Sequence, residues 1–342
     1  MKAKVSGTKK KINGTTFLLM ITILLFVVMY AAGMIVFNDK GFAKPQMFLN
    51  LFISNAGLLV IAMGETIVMI TAGIDISVGS VTALVCMVAA NQMENHGASA
   101  YTALLMALVI GLLFGLVQGF LVSYLEIQPF IVTLAGMFFD RGMTSMVSTE
   151  MISIKNETFL AWANAKIYLP FIGSYSKSGK FHPAYIYPTV IIAIIVLIVI
   201  IIVMKYTKFG RSVYAIGGNE QSALMMGLNV KRTKMAAYLL DGFLAGLGGF
   251  LFCMNSCAGF VEQAKGLEMD AISAAVIGGT LLSGGVGTPF GTLFGVLIKG
   301  TISSLITTQG TLSSWWVRIV LSALLCFFIV LQSVFASLKK KN

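Results

Sequence analysis

The side chains that could act on a solute or an ion are five polar residues inside or beside long apolar runs. Glu65, Asp75 and Ser77 belong to the stretch "MGETIVMITAGIDISVGSV", Asp241 lies within "LLDGFLAGLGG", and Lys299 stands in a third apolar run. A charged side chain at the centre of a bilayer costs about 2.5–3.5 kcal/mol even on the most lenient scale, so such residues often mark a solute or ion path. We therefore predict that Glu65, Asp75, Ser77, Asp241 and Lys299 line a translocation path.

Other roles are open for the same residues. Gly73 and Gly79 would let a helix break near Asp75, and an unwound segment offers the free backbone groups from which transporters build polar paths. Asp75 could instead cap the helix that follows it, because an Asp before an apolar run is an ordinary start signal. Asp241 and Lys299 could form a buried pair, and a role for both in lining a central path is equally consistent with the sequence.

Sequence patterns for catalysis, metal binding and nucleotide binding are missing. The chain has no GxxxxGK[ST] phosphate loop, no HExxH motif and no GxSxG motif. Its two histidines, His96 and His182, lie in segments that we place outside the membrane, and no histidine stands near the four cysteines. We predict that the chain has no catalytic site, no cofactor and no metal site.

The composition assigns the chain to the membrane. Of its 342 residues, 57% are hydrophobic and 11% are charged, whereas roughly 25% of the residues of a soluble domain are charged. The formal net charge of +11 would suggest nucleic acid as a partner of a soluble protein. In a chain embedded in lipid, Lys and Arg instead anchor loops against anionic lipid and set the orientation. We therefore expect the lipid bilayer, and no nucleic acid, as a partner.

The apolar runs predict a helical bundle. Only helices and closed barrels satisfy the backbone in lipid, and these runs are too long and continuous for barrel strands. We predict an all-α polytopic transmembrane domain at 17–336, between a basic N-terminal tail at 1–16 and a basic C-terminal tail at 337–342. About ten spans are expected, of which the third and the eighth are short and could be re-entrant or broken. They are placed at 17–37, 47–72, 77–93, 101–124, 128–148, 185–205, 233–254, 269–283, 289–308 and 314–336.

The distribution of positive charge predicts that both termini are cytoplasmic. An even number of spans puts both ends of the chain on one side of the membrane. The tails and loops on that side hold fourteen Lys and Arg residues, against seven in the loops on the other side. The long segment 149–184 then lies outside, and we expect a partly interfacial, partly loop structure there.

Glycines at four-residue spacing predict close contacts between helices. Residues four apart share one helix face, so these glycines leave smooth faces that let two backbones approach. Packing within the chain and packing between subunits would both use such faces. The glycines are Gly111, Gly115 and Gly119 in one run, Gly242 and Gly246 in a second, and Gly287, Gly291 and Gly295 in a third.

The segment "KFGRSVYAIGGNEQSALMMGLNVKRTK" at 208–234 is longer than a loop between two spans needs to be. Asn219 is a candidate N-cap, and Gly217 and Gly218 before it allow a sharp turn. The following "ALMM" offers a short apolar surface, and Gly227 can end the helix. The flexible methionines suit an adaptable docking surface. The basic flanks suit an amphipathic helix that lies on the lipid surface.

Four stretches of the chain together form a recognisable pattern. They are "ITAGIDISVGSVTAL" at 70–84, "FGRSVYAIGGNEQSALMMGLNVKRTK" at 209–234, "GFLAGLGGFLF" at 242–252 and "LEMDAISAAVIGGTLLSGGVGTPFGTLFGVLIKG" at 267–300. The pattern resembles the permease subunits of ABC importers of the ribose and galactose class, from about residue 45 to 335. Within that class, "TLAGMFFDRGM" and "GTLSSWWVRI" look most like the galactofuranose-type permease.

The resemblance implies a function and a set of partners. Two permease subunits, identical or related, would form a path for a monosaccharide such as galactofuranose or a ribose- or galactose-like sugar. A separate cytoplasmic ABC ATPase would drive transport, and an extracytoplasmic sugar-binding protein would deliver the sugar. The implied location is the bacterial inner membrane.

The resemblance also implies that Ser212 to Gly227 is a coupling helix, which seats in a cleft of the ATPase. The residues that would make this contact are Gly217, Gly218, Asn219, Glu220, Ala223, Leu224, Met225, Met226 and Gly227. Glu65 and Asp241 depart from the family pattern, in which a neutral residue and Ser are more common. These departures put in doubt any transfer of a particular sugar from a relative, and we hypothesise that one or both acids tune the path.

Two other functions compete with an ABC permease. In an ion-coupled secondary sugar transporter, the intramembrane acids would be coupling sites and 208–234 an ordinary loop. A membrane scaffold or sensor is the third alternative, and no feature of the sequence favours it.

Overall fold

The computed structural model describes residues 14–175, 181–313 and 315–341, and within them the chain forms thirteen α-helices and four short strands. The predicted all-α polytopic bundle is confirmed. The first seven helices are α1 (Gly14–Val36), α2 (Pro45–Ile70), α3 (Val78–Asn95), α4 (Ala100–Ser123), α5 (Pro129–Val147), α6 (Glu157–Asn164) and α7 (Pro188–Tyr206). The others are α8 (Lys208–Gly218), α9 (Glu220–Met225), α10 (Val230–Ser256), α11 (Leu267–Ile277), α12 (Pro289–Gln309) and α13 (Trp315–Lys341).

Eight helices in the described part of the chain are long and apolar enough to cross a membrane. They are α1, α2, α4, α5, α7, α10, α12 and α13. The two remaining predicted spans correspond to α3, which ends in the polar sequence "NQMEN", and to α11, which has only 11 residues. At 1.5 Å per residue, α11 is about 16 Å long, roughly half the thickness of a hydrocarbon core.

The predicted tails differ in how much of them the structure describes. Residues 1–13 of the N-terminal tail lie outside the described residues. At the other end, α13 continues to Lys341, so the segment predicted as a C-terminal tail is helical up to that residue.

The centre of the bundle is formed by α2 and α10, which contact each other, and α10 also contacts α3 and α4. The glycines of α4 lie against those of α10. A Cβ atom at Gly115 would stand 2.5 Å from the carbonyl oxygen of Tyr238 and 3.1 Å from the Cα of Gly242, and one at Gly246 would meet the carbonyl oxygen of Ala107. These two backbones can approach so closely because no side chain stands between them.

The third glycine run lies where α11 meets α12. Cβ atoms at Gly291 and Gly295 would overlap the carbonyl oxygens of Gly278 and Ala274. Gly287 lies just before α12 begins, and a Cβ there would stand 2.7 Å from the hydroxyl of Thr280. It therefore packs in the loop that precedes the helix and is not part of the helix face.

Two breaks in the helices meet at one end of the bundle. The chain leaves α2 through Ala72, whose φ is +64°, and it leaves α11 through Gly279, whose φ is +94°. The backbone N–H of Gly285, in the loop after α11, donates to the carbonyl of Ile70 over 2.9 Å. This hydrogen bond joins the end of α2 to the loop at 278–288.

The same end of the bundle, here called the α9 end, also holds the start of α1 and the end of α13. Thr22 donates to the carbonyl of Ile277 over 2.6 Å, and Gln332 donates to the carbonyl of Val276 over 3.1 Å. The start of α2 and the end of α12 therefore lie at the opposite end.

The segment 149–184 contains more regular structure than the loop and interface predicted for it. Strand β1 (Ile152–Ser153) pairs with β4 (Ala258–Gly259), and β2 (Ile167–Tyr175) forms an antiparallel hairpin with β3 (Phe181–Ile186). Asn156 caps α6 by accepting the N–H of Phe159. The hydrophobic periodicity of this segment is weak because much of the hairpin is exposed, so sequence reasoning assigned it no strands.

Candidate functional site

Three carboxyl groups form a buried cluster where α2, α10 and the α2–α3 break meet. Glu65, Asp75 and Asp241 are 0%, 3% and 0% exposed. The backbone N–H of Asp75 donates to Glu65 Oε1 over 3.3 Å, and Asp241 packs directly against Gly64 of α2. The sequence predicted these residues as one functional group, and the structure does bring them together.

A chain of hydrogen bonds extends from this carboxyl cluster towards α4. Both the backbone N–H and the hydroxyl of Ser77 donate to Asp75 Oδ1, over 2.7 and 2.6 Å. Gln118 of α4 in turn donates to the Ser77 hydroxyl over 2.7 Å. Asp75 thus stabilises the turn immediately before α3. It is not the helix cap that the sequence left open, because the N-cap residue of α3 is Ser77 and no side chain caps the helix there.

The carboxyl cluster is enclosed rather than open to solvent. The Tyr238 hydroxyl, on α10, donates to the carbonyl of Ile74 over 3.4 Å and covers the break. Glu65 Oε2 and both carboxylate oxygens of Asp241 have no hydrogen-bond partner among the described residues. Across residues 14–175, 181–313 and 315–341, no group of three or more His, Cys, Asp or Glu side chains is arranged to hold a metal ion. In this conformation, Glu65, Asp75, Ser77 and Asp241 therefore do not line an open path.

Lys299 belongs to a different site, so the suggested pair with Asp241 is wrong. Its ammonium lies 3.3 Å from Asp270 Oδ2 on α11 and 3.4 Å from Asn55 Oδ1 on α2. Asp270 supplies the opposite charge because α11 packs alongside α12, a contact that no local sequence pattern shows. Asp241 faces α2 in the carboxyl cluster instead.

Lys299 stands in a polar cavity of about 330 Å³ between α2 and α12, here called the α2–α12 groove. Most of the side chains that line it carry hydroxyl or amide groups. Of all the lining residues, the sequence had singled out only Lys299. A signal was present, because the polar residues recur at four-residue spacing on both helices. They include Asn50 and Ser54 on α2, and Lys299, Ser303 and Thr307 on α12.

The segment 208–234 forms two short helices, not the single helix predicted from Ser212 to Gly227. The first, α8, ends with Gly217 and Gly218, so these glycines close a helix rather than form a turn before one. Asn219 then caps α9 as predicted, accepting the N–H of Ser222 over 2.8 Å. Gly227, with φ of +79°, follows α9 and turns the chain, as predicted.

The apolar surface of α9 is smaller than predicted. Leu224, Met225 and Met226 are 64%, 86% and 68% exposed. Ala223 is fully buried against Ile216 of α8 and Val230 of α10, so its assignment to the exposed surface is wrong. Ala223 is buried while its neighbours are exposed, because a short helix must bury one side to hold its position.

The loop between α4 and α5 lies beside α9, and together they border a groove of about 900 Å³. We call it the α4–α9 groove. Its wall includes Glu126 and Ile127 from the loop, Leu224 from α9, and Lys231 from α10. Sequence reasoning missed the loop, although "YLEIQP" places an acid and two aliphatic residues between two spans.

Ion pairs connect the two walls of the α4–α9 groove. Lys231 lies 2.9 Å from Glu126, and Lys234 lies 2.7 Å from Glu220. Hydrogen bonding to the Lys231 ammonium, together with its charge, holds the pKa of Glu126 below the usual range, so this pair is charged at neutral pH. Both pairs are partly exposed, so they orient the loops more than they stabilise them.

Eight helices in the described part of the chain are long and apolar enough to span a membrane, and two helix breaks meet at one end of the bundle. These features define a polytopic helical membrane protein. Comparison with known proteins identifies the family. The family model for the "branched-chain amino acid transport system / permease component" matches residues 47–329, and the chain belongs to this family.

Three relatives illustrate the range of the family. The chain is 42% identical to the inner membrane ABC transporter permease protein YjfF of Escherichia coli, over 92% of this chain and 91% of that protein. It is 31% identical to the fructose import permease FruG of Bifidobacterium longum, over 96% and 95% of the two chains. It is 35% identical to the ribose import permease RbsC of Escherichia coli, over 80% and 81%. No solved structure matches the chain significantly.

Membership in this family supports an ABC permease component over the ion-coupled secondary transporter considered from the sequence. The homologues are transport subunits, in keeping with a chain that carries no nucleotide-binding motif of its own.

Proposed function

We propose that this chain and a second permease subunit form the membrane path of an ABC importer for a monosaccharide. An extracytoplasmic binding protein delivers the sugar, and a separate cytoplasmic ABC ATPase drives its passage. Two relatives support a sugar as the substrate, since one is a fructose import permease and another is a ribose import permease. A galactofuranose-type sugar stays a finer prediction within this class.

The observation that carries the proposal is the exposed apolar surface of α9, which is held in place by the packing of α8. Three neighbouring residues, Leu224, Met225 and Met226, present large apolar side chains at the surface. The adjoining α4–α9 groove is large enough to receive part of a partner protein. We assign this surface to the ATPase because flexible methionines suit an interface that must stay bound while its partner changes shape.

The contacts at the end of α8, just before α9, explain how a force on the exposed surface of α9 would reach the membrane helices. Gly217, at the end of α8, packs against the carbonyl of Ile70 and the N–H of Gly285. Those two groups belong to the end of α2 and to the loop after α11, which are hydrogen-bonded to each other. A displacement of α8 and α9 would therefore move both broken ends together.

We assign the α9 end to the cytoplasm. The start of α1 and the end of α13 lie at this end, so both termini are proposed to be cytoplasmic. Basic residues lie within α8 and on both sides of the α8–α9 segment, as expected for a cytoplasmic face. They are Lys205, Lys208, Arg211, Lys231, Arg232 and Lys234.

The experiment that tests the proposal is Leu224→Asp, with Leu312→Asp as the matched control. Leu312 is an exposed leucine in the loop after α12, at the opposite end of the bundle. Leu224→Asp is expected to abolish ATPase co-purification and ATP-dependent sugar uptake, because it places a charge in an apolar contact, and the protein should still reach the membrane. Leu312→Asp should preserve ATPase binding.

Normal uptake by Leu224→Asp would refute the coupling role of α9. Uptake by liposomes that contain this chain alone, driven by an ion gradient, would instead refute the whole ABC proposal.

A further inference from the structure

The α2–α12 groove has a wall of mostly polar side chains, unlike the exposed face of α7. Asn50 and Ser54 follow one another at four-residue spacing on α2, and Lys299, Ser303 and Thr307 do so on α12. Residues at this spacing lie on one helix face, so two polar stripes face each other across the cavity.

A comparison with α7 shows how a lipid-facing surface of this protein is built. The exposed residues in the middle of α7 include Ile195, Ile198 and Ile202. Thr307 and Asn50 already have hydrogen-bond partners on their own helices, the carbonyl of Ser303 and the amide of Gln46. The remaining donors and acceptors of the lining would lose their hydration in hydrocarbon without gaining partners. The α2–α12 groove is therefore a surface for a polar occupant and not for lipid.

The groove has a distinct inner end where three helices meet. Lys299 of α12 is held between Asp270 of α11 and Asn55 of α2, at 3.3 and 3.4 Å. Asn55 is itself buried and donates to the carbonyl of Leu51 over 2.8 Å, so its position is fixed. Lys299 is thus the charged side chain of the lining, and Asp270 pairs with it without lining the cavity. The rest of the wall presents mostly neutral hydroxyls and amides.

The outer end of the groove lies at the end of the bundle opposite α9. The Lys40 ammonium, in the α1–α2 connection, donates to the carbonyl of Thr308 over 2.7 Å. A solute that enters here would meet hydroxyl and amide groups first, and then the Lys299–Asp270 pair.

We propose that the α2–α12 groove is a transit site for the monosaccharide, with the Lys299–Asp270 pair at its inner end. A monosaccharide carries several hydroxyls that both donate and accept, and Ser, Thr and Asn side chains do the same. The volume of about 330 Å³ lies at the lower end of the roughly 300–1,000 Å³ typical of small-molecule sites. This proposal rests on the proposed function, whose second permease subunit would cover the open side.

The first test is the accessibility of a cysteine in the groove. Ser303→Cys and the lipid-facing control Ile198→Cys are made in a chain whose Cys257 and Cys326 are serines, since the two other native cysteines are buried. Intact cells are treated with a charged, membrane-impermeant methanethiosulfonate. Ser303→Cys should react at least about tenfold faster, because the thiolate that attacks the reagent forms in water and not in lipid. Equal rates would overturn the proposal.

The second test is sugar uptake by Ser303→Leu, with Ser303→Ala and Ser145→Leu as controls. Ser145 lies on α5, where its hydroxyl bonds to the carbonyl of Arg141 in its own helix. Ser303→Leu should lower uptake of radiolabelled ribose, galactose or fructose at least about tenfold, since it replaces a hydroxyl by a bulky apolar group in the groove. Ser145→Leu should transport normally. Ser303→Ala, which removes the hydroxyl without filling the groove, should lower uptake less than Ser303→Leu does.

The amount of ATPase that co-purifies with Ser303→Leu distinguishes a failure of the transit-site proposal from a failure of the proposed permease function. Retained ATPase with lost uptake supports the transit site. Retained ATPase with normal uptake overturns the transit site and leaves the permease function standing. Failure of the unmutated chain to bind any ATPase overturns the proposed function itself.

Discussion

The contact between α4 and α10 predicts a measurable difference between two Gly→Ala substitutions. At Gly115, a Cβ would stand 2.5 Å from the carbonyl oxygen of Tyr238 and 3.1 Å from the Cα atoms of Leu239 and Gly242. All three obstacles are backbone atoms, so no rotamer change can relieve the overlap. Gly142, on α5, is the control, because a Cβ there would meet no atom within 4 Å.

The magnitude follows from this geometry. A carbon–oxygen contact normally lies at about 3.3 Å or beyond, so the 2.5 Å contact of Gly115→Ala requires α4 and α10 to separate by about 0.8 Å. Overpacking of this kind costs about 1–3 kcal/mol, and the gain from replacing a helical Gly by Ala offsets about 0.5–1 kcal/mol of it. Gly142→Ala keeps only the favourable term.

The assay measures the apparent Tm of the purified protein in detergent. The Tm is taken from the loss of the monodisperse protein peak as the heating temperature rises. A change of 1 kcal/mol shifts the Tm of a large domain by about 2–4 °C, so Gly115→Ala should lower it by about 2–5 °C, whereas Gly142→Ala should raise it slightly. Sugar uptake should also fall for Gly115→Ala, because Gln118, on the same helix, holds Ser77 before α3. Equal Tm values for the two variants would refute the packing argument.

Two further predictions concern the carboxyl cluster. Glu65→Gln and Asp241→Ser are each expected to change the rate of uptake or the set of accepted sugars, and unchanged uptake of every accepted sugar in both variants would exclude a role in tuning the path. Ser77→Ala removes both the hydroxyl donor to Asp75 and the acceptor of Gln118, which should destabilise the protein by about 1–3 kcal/mol and lower its Tm in the same assay. A Tm equal to that of the unmutated protein would show that this chain of hydrogen bonds contributes nothing.

Much of the fold follows from composition and hydrophobic patterning. Lipid leaves a long apolar segment little choice but to form a helix, because its backbone groups have no other hydrogen-bond partners there. The eight long helices were predictable for this reason. Even the shortness of α3 and α11 was visible in the sequence, since their apolar runs are brief. The β2–β3 hairpin was not, because an exposed strand pair carries little periodicity.

The candidate sites were predictable in part. The sequence singled out Glu65, Asp75 and Asp241 because charge is rare inside apolar runs, and Asn219 and Gly227 because the two ends of a short helix need special residues. Local pattern alone did not show that Ala223 turns inward, since the direction of a side chain on a one-turn helix depends on what that helix packs against.

Membrane embedding, helix content and the shortness of α3 and α11 are properties of the sequence, because lipid acts on each segment separately. The partners of the charged residues were decided only by the tertiary structure. Asp241 and Lys299 stand 58 positions apart, and either could have paired with the other. The packing of α10 on α2 takes Asp241 into the carboxyl cluster, whereas the packing of α12 on α11 brings Lys299 to Asp270. Pairing between distant segments depends on which helices lie side by side, and the composition of either segment does not contain that information.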